Sequence, residues 1–352
     1  MNKHLRIAFV ANLFTSVPPK HYGGIERDAY FLLKCLIKRG HKITLFASDD
    51  STVPCRLISY GHRSSQSAAV ELRNLFTIYY QLFKLRKDFD IIHCFGRLLY
   101  LLPLLPLNLV KVKTYACQMN LKKMSLANRL ARGTLTFVAC SNSFAQTGQG
   151  IGRWVTIYPC IDPKHYSYNP SPQGRYLLFL GRLDPIKGAH TAIDIAKSTN
   201  KQLKLAGNIG PPETNLEYFK QAIQPQIDGR QIQYVGPVDD HQKNDLIGNA
   251  SALLFPIEWE EPSGLVMLEA MACGTPVIAF RRGAVPEILT DGVNGFICNS
   301  KQEMISAVER LYEIDRQQCR RTVEMRFSDE RAALEFEKLY MQLLGINNKD
   351  SE

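Results

Sequence analysis

Short apolar runs of strand length alternate with helix-spaced apolar patterns along this chain, and the series starts afresh near its middle. Few folds satisfy that order: strands buried on both faces and linked through helices make a parallel sheet with helices on either side. Residues 7–11 read as a first strand. Gly23-Gly24 then opens a helical stripe over 25–39 (Ala29, Leu32, Leu33, Leu36), which Gly40 stops. Residues 42–47 are the next strand, 71–87 a second amphipathic helix, and 90–94, 110–115 and 136–140 further strands. The second series runs strand 176–180, helix 190–198, strand 203–206 ending at Gly207, strand 232–235, helix 240–249 and strand 252–255. Between the two series, 162–174 (DPKHYSYNPSPQG) is rich in Pro, Ser and Asn, which is linker chemistry. With 352 residues, too many for one ordinary core, the expectation is an α/β protein of two doubly wound Rossmann-like domains facing across a cleft. The first spans 1–168 and the second 174–328, with a last helix at about 329–345. Ligand sites of such sheets lie at the carboxyl ends of the strands.

The stretch 258–280 reads EWEEPSGLVMLEAMACGTPVIAF. Glu261 and Glu269 flank a small-residue turn at Pro262-Ser263-Gly264. A short apolar helix (Leu265, Val266, Leu268, Met271), a stop at Gly274 and a strand at Pro276-Val277-Ile278 follow. The N-terminus of such a helix offers free N–H groups and partial positive charge to a phosphate. Glu269, one and a half turns in, can accept hydrogen bonds from vicinal hydroxyls. The pattern suits a nucleotide-diphosphate sugar.

That stretch resembles the retaining glycosyltransferases of the GT-B fold, in particular glycosyltransferase family 4, whose signature is two glutamates separated by seven residues around a Gly-hydrophobe turn. The resemblance implies sugar binding by Glu261, ribose binding by Glu269, and diphosphate binding by the N–H groups of Gly264, Leu265 and Val266. It also implies that the final helix crosses back to the first domain. Arg182 and Lys187, in FLGRLDPIKGAH, are five apart on a strand-to-helix loop, so a forked donor and a point charge can meet one diphosphate. In the family these positions neutralise the leaving group, which makes Arg182, Lys187 and Glu261 the catalytic candidates. A solvated loop in which Asp184 pairs with the cations is the plain alternative. The element His21-Tyr22-Gly23-Gly24-Ile25-Glu26-Arg27 resembles the family's GG-x-E loop, which closes over the donor, and so marks Gly23 and Gly24. Val235 and Pro237, in Tyr234-Val235-Gly236-Pro237-Val238, are expected near the nucleobase.

One position departs from the family. A first-domain histidine is common in a V-x-T-x-H context, but the segment here is Val112-Lys113-Thr114-Tyr115-Ala116-Cys117-Gln118, with alanine at 116. Tyr115, Gln118 and His93, the last at a strand end, are the acceptor-side candidates; a locally hydrogen-bonded strand-end histidine is the plain alternative for His93. A front-face mechanism, in which the leaving phosphate takes the acceptor proton, needs no protein base.

Residues 1–170 carry 23 Lys+Arg against 8 Asp+Glu, and the remainder 20 against 25. So uneven a balance suits a membrane surface or a phosphorylated lipid acceptor, and no groove-reading motif points to nucleic acid. The 71–87 helix, with Leu72, Leu75, Phe76, Tyr79, Leu82 and Phe83 on one side and Lys84, Arg86 and Lys87 at its end, is read as covering the core with a basic tail rather than as an interfacial helix. The run 98–112 is interrupted by Pro103 and Pro106 and is too short to span a bilayer. The start, MNKHLRIAFVANLF, reads as a buried strand rather than a secretory signal. Nine dispersed cysteines with no C-x-x-C pair fit reduced thiols and offer no zinc spacing.

Together with the resemblance, these features lead to the expectation of a cytoplasmic enzyme that docks weakly at the inner face of the membrane, a merely solvated basic surface being the plain alternative. The enzyme moves a hexose with retention from a nucleotide-diphosphate sugar (UDP-sugar favoured, GDP-sugar next) to a glycan, lipid-linked or small-molecule acceptor in glycan, glycolipid or cell-surface polysaccharide synthesis. Neither metal nor cofactor is expected. The rival readings are a sugar-nucleotide-binding protein without turnover, for which Ala116 is the hint, and a GT-B epimerase or phosphorylase.

Overall fold

The computed structural model describes residues 4–20, 23–62, 67–116, 119–210 and 213–346. The chain forms two compact units, residues 1–160 with 329–352, and residues 161–328.

The first unit is built on seven strands, β1 (Arg6–Val10), β2 (Lys42–Ala47), β3 (Arg56–Ser59), β4 (Ile91–Cys94), β5 (Val110–Tyr115), β6 (Leu135–Ala139) and β7 (Arg153–Thr156). All pairs are parallel, in the order β3-β2-β1-β4-β5-β6-β7. Alternate residues serve opposite faces. On one face Ala8, Val10, Phe46, Ile92 and Cys94 pack with Ile78 and Leu82 of helix Ala68–Leu85 and with Met124 and Ala127 of helix Leu121–Ala131. On the other, His93 meets Phe9, Phe336 and Tyr340, the last two from helix Asp329–Leu343. That helix packs along helix Gly24–Lys38 and is tied down by Glu337, which takes Arg39 at 2.6 Å and His41 at 2.7 Å.

The second unit repeats the plan with β8 (Tyr176–Leu180), β9 (Gln202–Ala206), β10 (Ile232–Gly236), β11 (Ala252–Phe255), β12 (Val277–Phe280) and β13 (Gly295–Cys298), in the order β10-β9-β8-β11-β12-β13. In both sheets the strand order therefore reverses beside the first strand, between β1 and β4 and between β8 and β11. Each is a Rossmann-like sheet with its own topological switch point.

Three expectations are corrected. Residues 161–168 do not belong to the first unit. Ile161 bridges Ser328, the Ser167 N–H donates to Asn244, and Arg316 and Arg320 bind the carbonyls of Asn169 and Tyr166. Much of the Pro/Ser/Asn segment is thus fastened to the second unit. The strands β3, β7 and β13 were not evident in the sequence. The first two are partly exposed sheet edges without a continuous apolar run, and β13 is only four residues long. The helix read at 71–87 is Ala68–Leu85, and its core face is Asn74, Ile78 and Leu82. Leu72, Phe76 and Phe83, taken as core-covering, are exposed together with Tyr80. The helix is apolar on two sides, so periodicity alone did not single out the inner one.

Candidate functional site

Both cations and both carboxylates picked out by spacing lie in the second unit, on segments that leave the carboxyl ends of β8 and β11, the two strands at the switch point. Lys187 and Glu261, 74 positions apart, meet at 2.6 Å. The same Glu261 oxygen accepts the Trp259 indole N–H at 2.9 Å, and the other accepts the Gly264 N–H at 3.2 Å. The Lys187 ammonium also stands 4.9 Å over the Trp259 ring. Lys187 and Glu261 side chains are only 14% and 8% exposed, a setting in which a charge requires its partner.

The turn Pro262-Ser263-Gly264 is thus wound around the Glu261 carboxylate. Gly264 sits at φ 59°, the left-handed region, and caps helix Leu265–Ala272. Its N–H is already given to Glu261, so it is not open to a phosphate in the way the family resemblance implies. The N–H groups of Leu265 and Val266 follow in the first helical turn, where N–H groups have no intrahelical acceptor. A loop after β12, invisible to spacing, fastens the backbone of the Glu260-Glu261 turn. Gly283 N–H donates to Glu260 at 2.6 Å and Ala284 N–H to the Glu261 carbonyl at 2.8 Å. A Cβ on Gly283 would lie 2.2 Å from that carbonyl oxygen.

Arg182 forks onto one Asp184 oxygen at 2.6 and 3.1 Å, the local pairing weighed in the sequence. The other Asp184 oxygen accepts the Ile186 N–H and caps the short 3-10 turn Pro185–Lys187. One-third of the Arg182 side chain remains exposed. The loops after β8, β9 and β10 are laced together: Gly207 N–H donates to the Gly236 carbonyl, and a Cβ on Gly207 would lie 1.9 Å from the Gly181 oxygen. Val235 and Pro237 are exposed at the end of edge strand β10.

Glu269 is buried on helix Leu265–Ala272, and its Oε1 accepts from Lys243 at 2.6 Å and from the Tyr166 hydroxyl at 2.9 Å. Neither partner was evident in the sequence. Tyr166 lies in the segment read as linker. Lys243 is a lone cation on helix Asp240–Asn249, and only its burial in the structure singles it out. His190, Glu258 and Tyr218 form another cluster, with His190–Glu258 at 3.0 Å and His190–Tyr218 at 2.8 Å; burial pushes the Tyr218 phenol up to about 12.

The first-unit candidates fare differently. His93 is not at a rim. It is fully buried, 2.6 Å from the Tyr340 hydroxyl and 2.7 Å from Thr114. Burial, followed by the Lys113 charge, holds its imidazole well below the usual range, so it is a neutral structural group. Tyr115 is likewise a core residue, packed against Phe137 and Trp154. Gln118 lies outside the described residues, as do His21 and Tyr22 of the double-glycine element. Gly23 precedes helix Gly24–Lys38, and a Cβ there would meet Pro19 at 2.7 Å. Glu26, in the first turn of that helix, is buried, which raises its carboxyl pKa against the lowering effect of its own N–H and of Asn12. Among the described residues, no group of three His, Cys, Asp or Glu is placed to hold a metal ion.

What this arrangement offers a ligand is a desolvated carboxylate with a displaceable ammonium, a second cation (the Arg182 guanidinium) nearby in sequence, and the opening turn of a helix. Comparison with known proteins adds to the geometry. The family described as "Glycosyl transferases group 1" matches residues 162–325, and "Glycosyltransferase Family 4" matches 22–165. An uncharacterized glycosyltransferase of Methanocaldococcus jannaschii is 29% identical over 199 residues, 54% of either protein. A D-inositol 3-phosphate glycosyltransferase of Frankia alni is 31% identical over 134 residues, 35% of this chain and 33% of that protein. The chain thus spans about half the length of the first relative and a third of the second. Among solved structures, sucrose-phosphate synthase from Thermosynechococcus elongatus superposes with a TM-score of 0.80 at 18% identity, covering 97% of this chain and 100% of that one. HepE of Anabaena, in complex with UDP and glucose, gives 0.75 at 18% identity, covering 96% and 99%.

Proposed function

The chain belongs to the GT-B glycosyltransferases and is of the family 4 type, and from that premise we propose that it transfers a hexose, with retention, from a nucleotide-diphosphate sugar to an acceptor hydroxyl. A UDP-sugar is the favoured donor and a GDP-sugar the next. The observation that carries this reading is the Lys187–Glu261 pair, set beside the N-terminus of helix Leu265–Ala272 and ringed by Trp259 and Gly264.

In the free protein Lys187 neutralises Glu261. An arriving diphosphate competes for that ammonium, and Glu261 is then released to accept hydrogen bonds from the sugar hydroxyls. Arg182 forks onto the diphosphate, and the N–H groups of Leu265 and Val266 hold its oxygens. Glu269, fixed through Oε1 by Lys243 and Tyr166, takes the ribose hydroxyls, and Val235 and Pro237 flank the base. Charge grows on the leaving diphosphate as the glycosidic bond breaks, and preorganised cations stabilise that charge where it develops. The departing phosphate oxygen takes the proton of the acceptor hydroxyl, so Ala116 is compatible with turnover. Arg182 and Lys187 supply the positive charge that the leaving diphosphate needs, so the reaction is metal-independent. The acceptor is a glycan, lipid-linked or small molecule met at the cytoplasmic face of the membrane.

The test is a thermal-shift screen with UDP, GDP, ADP and their sugars, followed by transfer to membrane extract and NMR of the anomeric product. A ligand at 100 times its dissociation constant stabilises by about 2.7 kcal/mol. Stabilisation by one nucleotide and a retained anomer in EDTA support the reading. An inverted anomer, or loss of transfer on chelation, overturns its mechanism. Binding with no transfer makes the protein a sugar-nucleotide carrier.

A further inference from the structure

Trp259 touches both members of the Lys187–Glu261 pair. Its indole N–H donates to Glu261 Oε2 at 2.9 Å, and the same oxygen takes the Lys187 ammonium at 2.6 Å. That ammonium stands 4.9 Å from the centre of the Trp259 ring. Glu261 Oε1 takes the Gly264 N–H at 3.2 Å. Three donors thus serve a carboxylate that is 8% exposed, and one of the three is a point charge on a flexible four-carbon stem.

These donors respond differently to an arriving anion. A diphosphate carries more negative charge than a single carboxylate, so it draws the ammonium to itself. The indole and the Gly264 amide are neutral and are not drawn. Trp259 is also held in place. It is half-buried, and both of its chain neighbours are fastened. The Glu258 N–H donates to the Ile186 carbonyl at 2.8 Å, and the Glu258 carboxylate pairs with His190 at 3.0 Å. On the other side, Glu260 accepts the Gly283 N–H at 2.6 Å. Once Lys187 has turned to the diphosphate, the indole N–H stays on Oε2 and the Gly264 N–H on Oε1. A desolvated carboxylate stripped of its donors is costly.

We propose that Trp259 is a positioning residue for donor binding: its indole N–H keeps Glu261 hydrogen-bonded and in place after the diphosphate has taken Lys187. This role rests on the transferase reading, in which that exchange of partners occurs. In the free protein the indole is one of two donors on Oε2. In the complex it serves that oxygen after the ammonium has gone. Trp259 therefore matters more to the bound state than to the free one.

Inorganic pyrophosphate and UDP are titrated calorimetrically into the native chain, Trp259→Phe, Glu261→Gln and the double variant. Trp259→Phe is expected to weaken both ligands about tenfold, the worth of a hydrogen bond to a charged group. In the Glu261→Gln background the same change is expected to alter either affinity by no more than about twofold, because no buried charge is left to serve. Equal losses in the two backgrounds mean that the ring acts through packing alone and overturn the proposal. A second measurement does not depend on the variant folding. Trp154 and Trp259 are the chain's two tryptophans, and Trp154 lies in the first unit against Tyr115 and Phe137. In a Trp154→Phe background, pyrophosphate is expected to change the Trp259 emission as the ammonium leaves the ring face. Saturated binding with an unchanged spectrum also overturns the proposal. Binding of UDP and pyrophosphate without coupling between Trp259 and Glu261 defeats only the role of Trp259. Binding of neither ligand to the native chain defeats the donor reading with it.

Discussion

Lys187 has a structural role and a proposed catalytic one, and the two separate on mutation. In the folded chain it neutralises Glu261, a carboxylate only 8% exposed. Removing one member of such a pair leaves the other charge buried, at a cost of about 3 kcal/mol. Lys187→Ala should therefore lower the denaturation midpoint as well as reduce turnover by roughly 100-fold. Arg182→Ala should match that loss of turnover with a smaller stability change, because its partner Asp184 retains the Ile186 N–H and its own side chain is one-third exposed. The double variant Lys187→Ala/Glu261→Gln should regain most of the lost stability and none of the activity. Activity recovering along with stability would show that Lys187 acts only through the fold. Asp28 supplies a pH test. Burial raises its carboxyl to about 6 despite the Cys160 N–H at 2.7 Å. A folded pKa above the unfolded one favours the fold at low pH, and that contribution is lost as pH rises from about 4 through 6. Asp28→Asn, which preserves the acceptor oxygen, should stabilise the protein by about 1–3 kcal/mol at pH 8 and leave it nearly unchanged at pH 4. Equal effects at both pH values would contradict the buried charge. The residues legible in the sequence were those with a characteristic spacing: Arg182, Lys187, Glu261 and Glu269. Trp259 was read only as part of the stretch; Tyr166 and Lys243 reach Glu269 from the segment read as linker and from helix Asp240–Asn249, and Gly283 reaches Glu260 from the loop after β12, all at separations along the chain that carry no signal.

At the scale of elements, strands with a continuous buried run were the best marked. Lys42–Ala47, Val110–Tyr115, Tyr176–Leu180, Asp240–Asn249 and Ala252–Phe255 occur within the bounds their patterns indicate. The parallel two-sheet architecture followed from that alternation, because right-handed crossovers leave few other topologies. Legibility failed at sheet edges, where β3 and β7 have no buried run to betray them, and on helix Ala68–Leu85, whose two apolar sides gave no single phase. Loop contacts were equally hidden. Gly188 joins the 3-10 turn carrying Lys187 to helix Ala189–Ser198, at φ 74°, and a Cβ there would stand 2.0 Å from the Pro256 oxygen. Glycine is required both by the left-handed conformation and by the approach of the β11 loop. Gly188→Ala should cost about 1–3 kcal/mol and raise KM for the donor more than it lowers kcat, because it displaces the loop bearing Lys187. A variant with unaltered denaturation midpoint and donor KM would show that this loop junction gives way freely.

For the molecule as a whole, the chain's charge is a property of one unit. Counting the C-terminal segment with residues 1–160, the first unit carries 25 Lys+Arg against 13 Asp+Glu, and the second 18 against 20. The acids of the last helix reduce the excess apparent in the linear sequence without removing it. No helix among the described residues is long and apolar enough to cross a membrane, so contact with a bilayer would be made at its surface. Two helices on the same face of the first sheet provide the means. Helix Ala68–Leu85 exposes Phe76, Tyr80 and Phe83 with Arg73 and Lys84, and helix Leu121–Ala131 exposes Leu121, Leu126 and Leu130 with Lys122, Lys123 and Arg129. Exposed aromatic and aliphatic groups interleaved with cations match an anionic interface, where each cation near the surface contributes about 1 kcal/mol. Co-sedimentation should show binding to vesicles containing phosphatidylglycerol, far weaker binding to neutral vesicles, and loss of the difference in 1 M salt, where the screening length falls to about 3 Å. Phe76→Ser/Phe83→Ser should reduce vesicle binding about tenfold or more while the UDP-induced thermal shift stays in place, because the proposed donor site lies in the other unit. Lys122→Glu/Lys123→Glu should remove the dependence on salt. Equally negligible sedimentation with acidic and neutral vesicles would leave the charge excess to a soluble anionic acceptor.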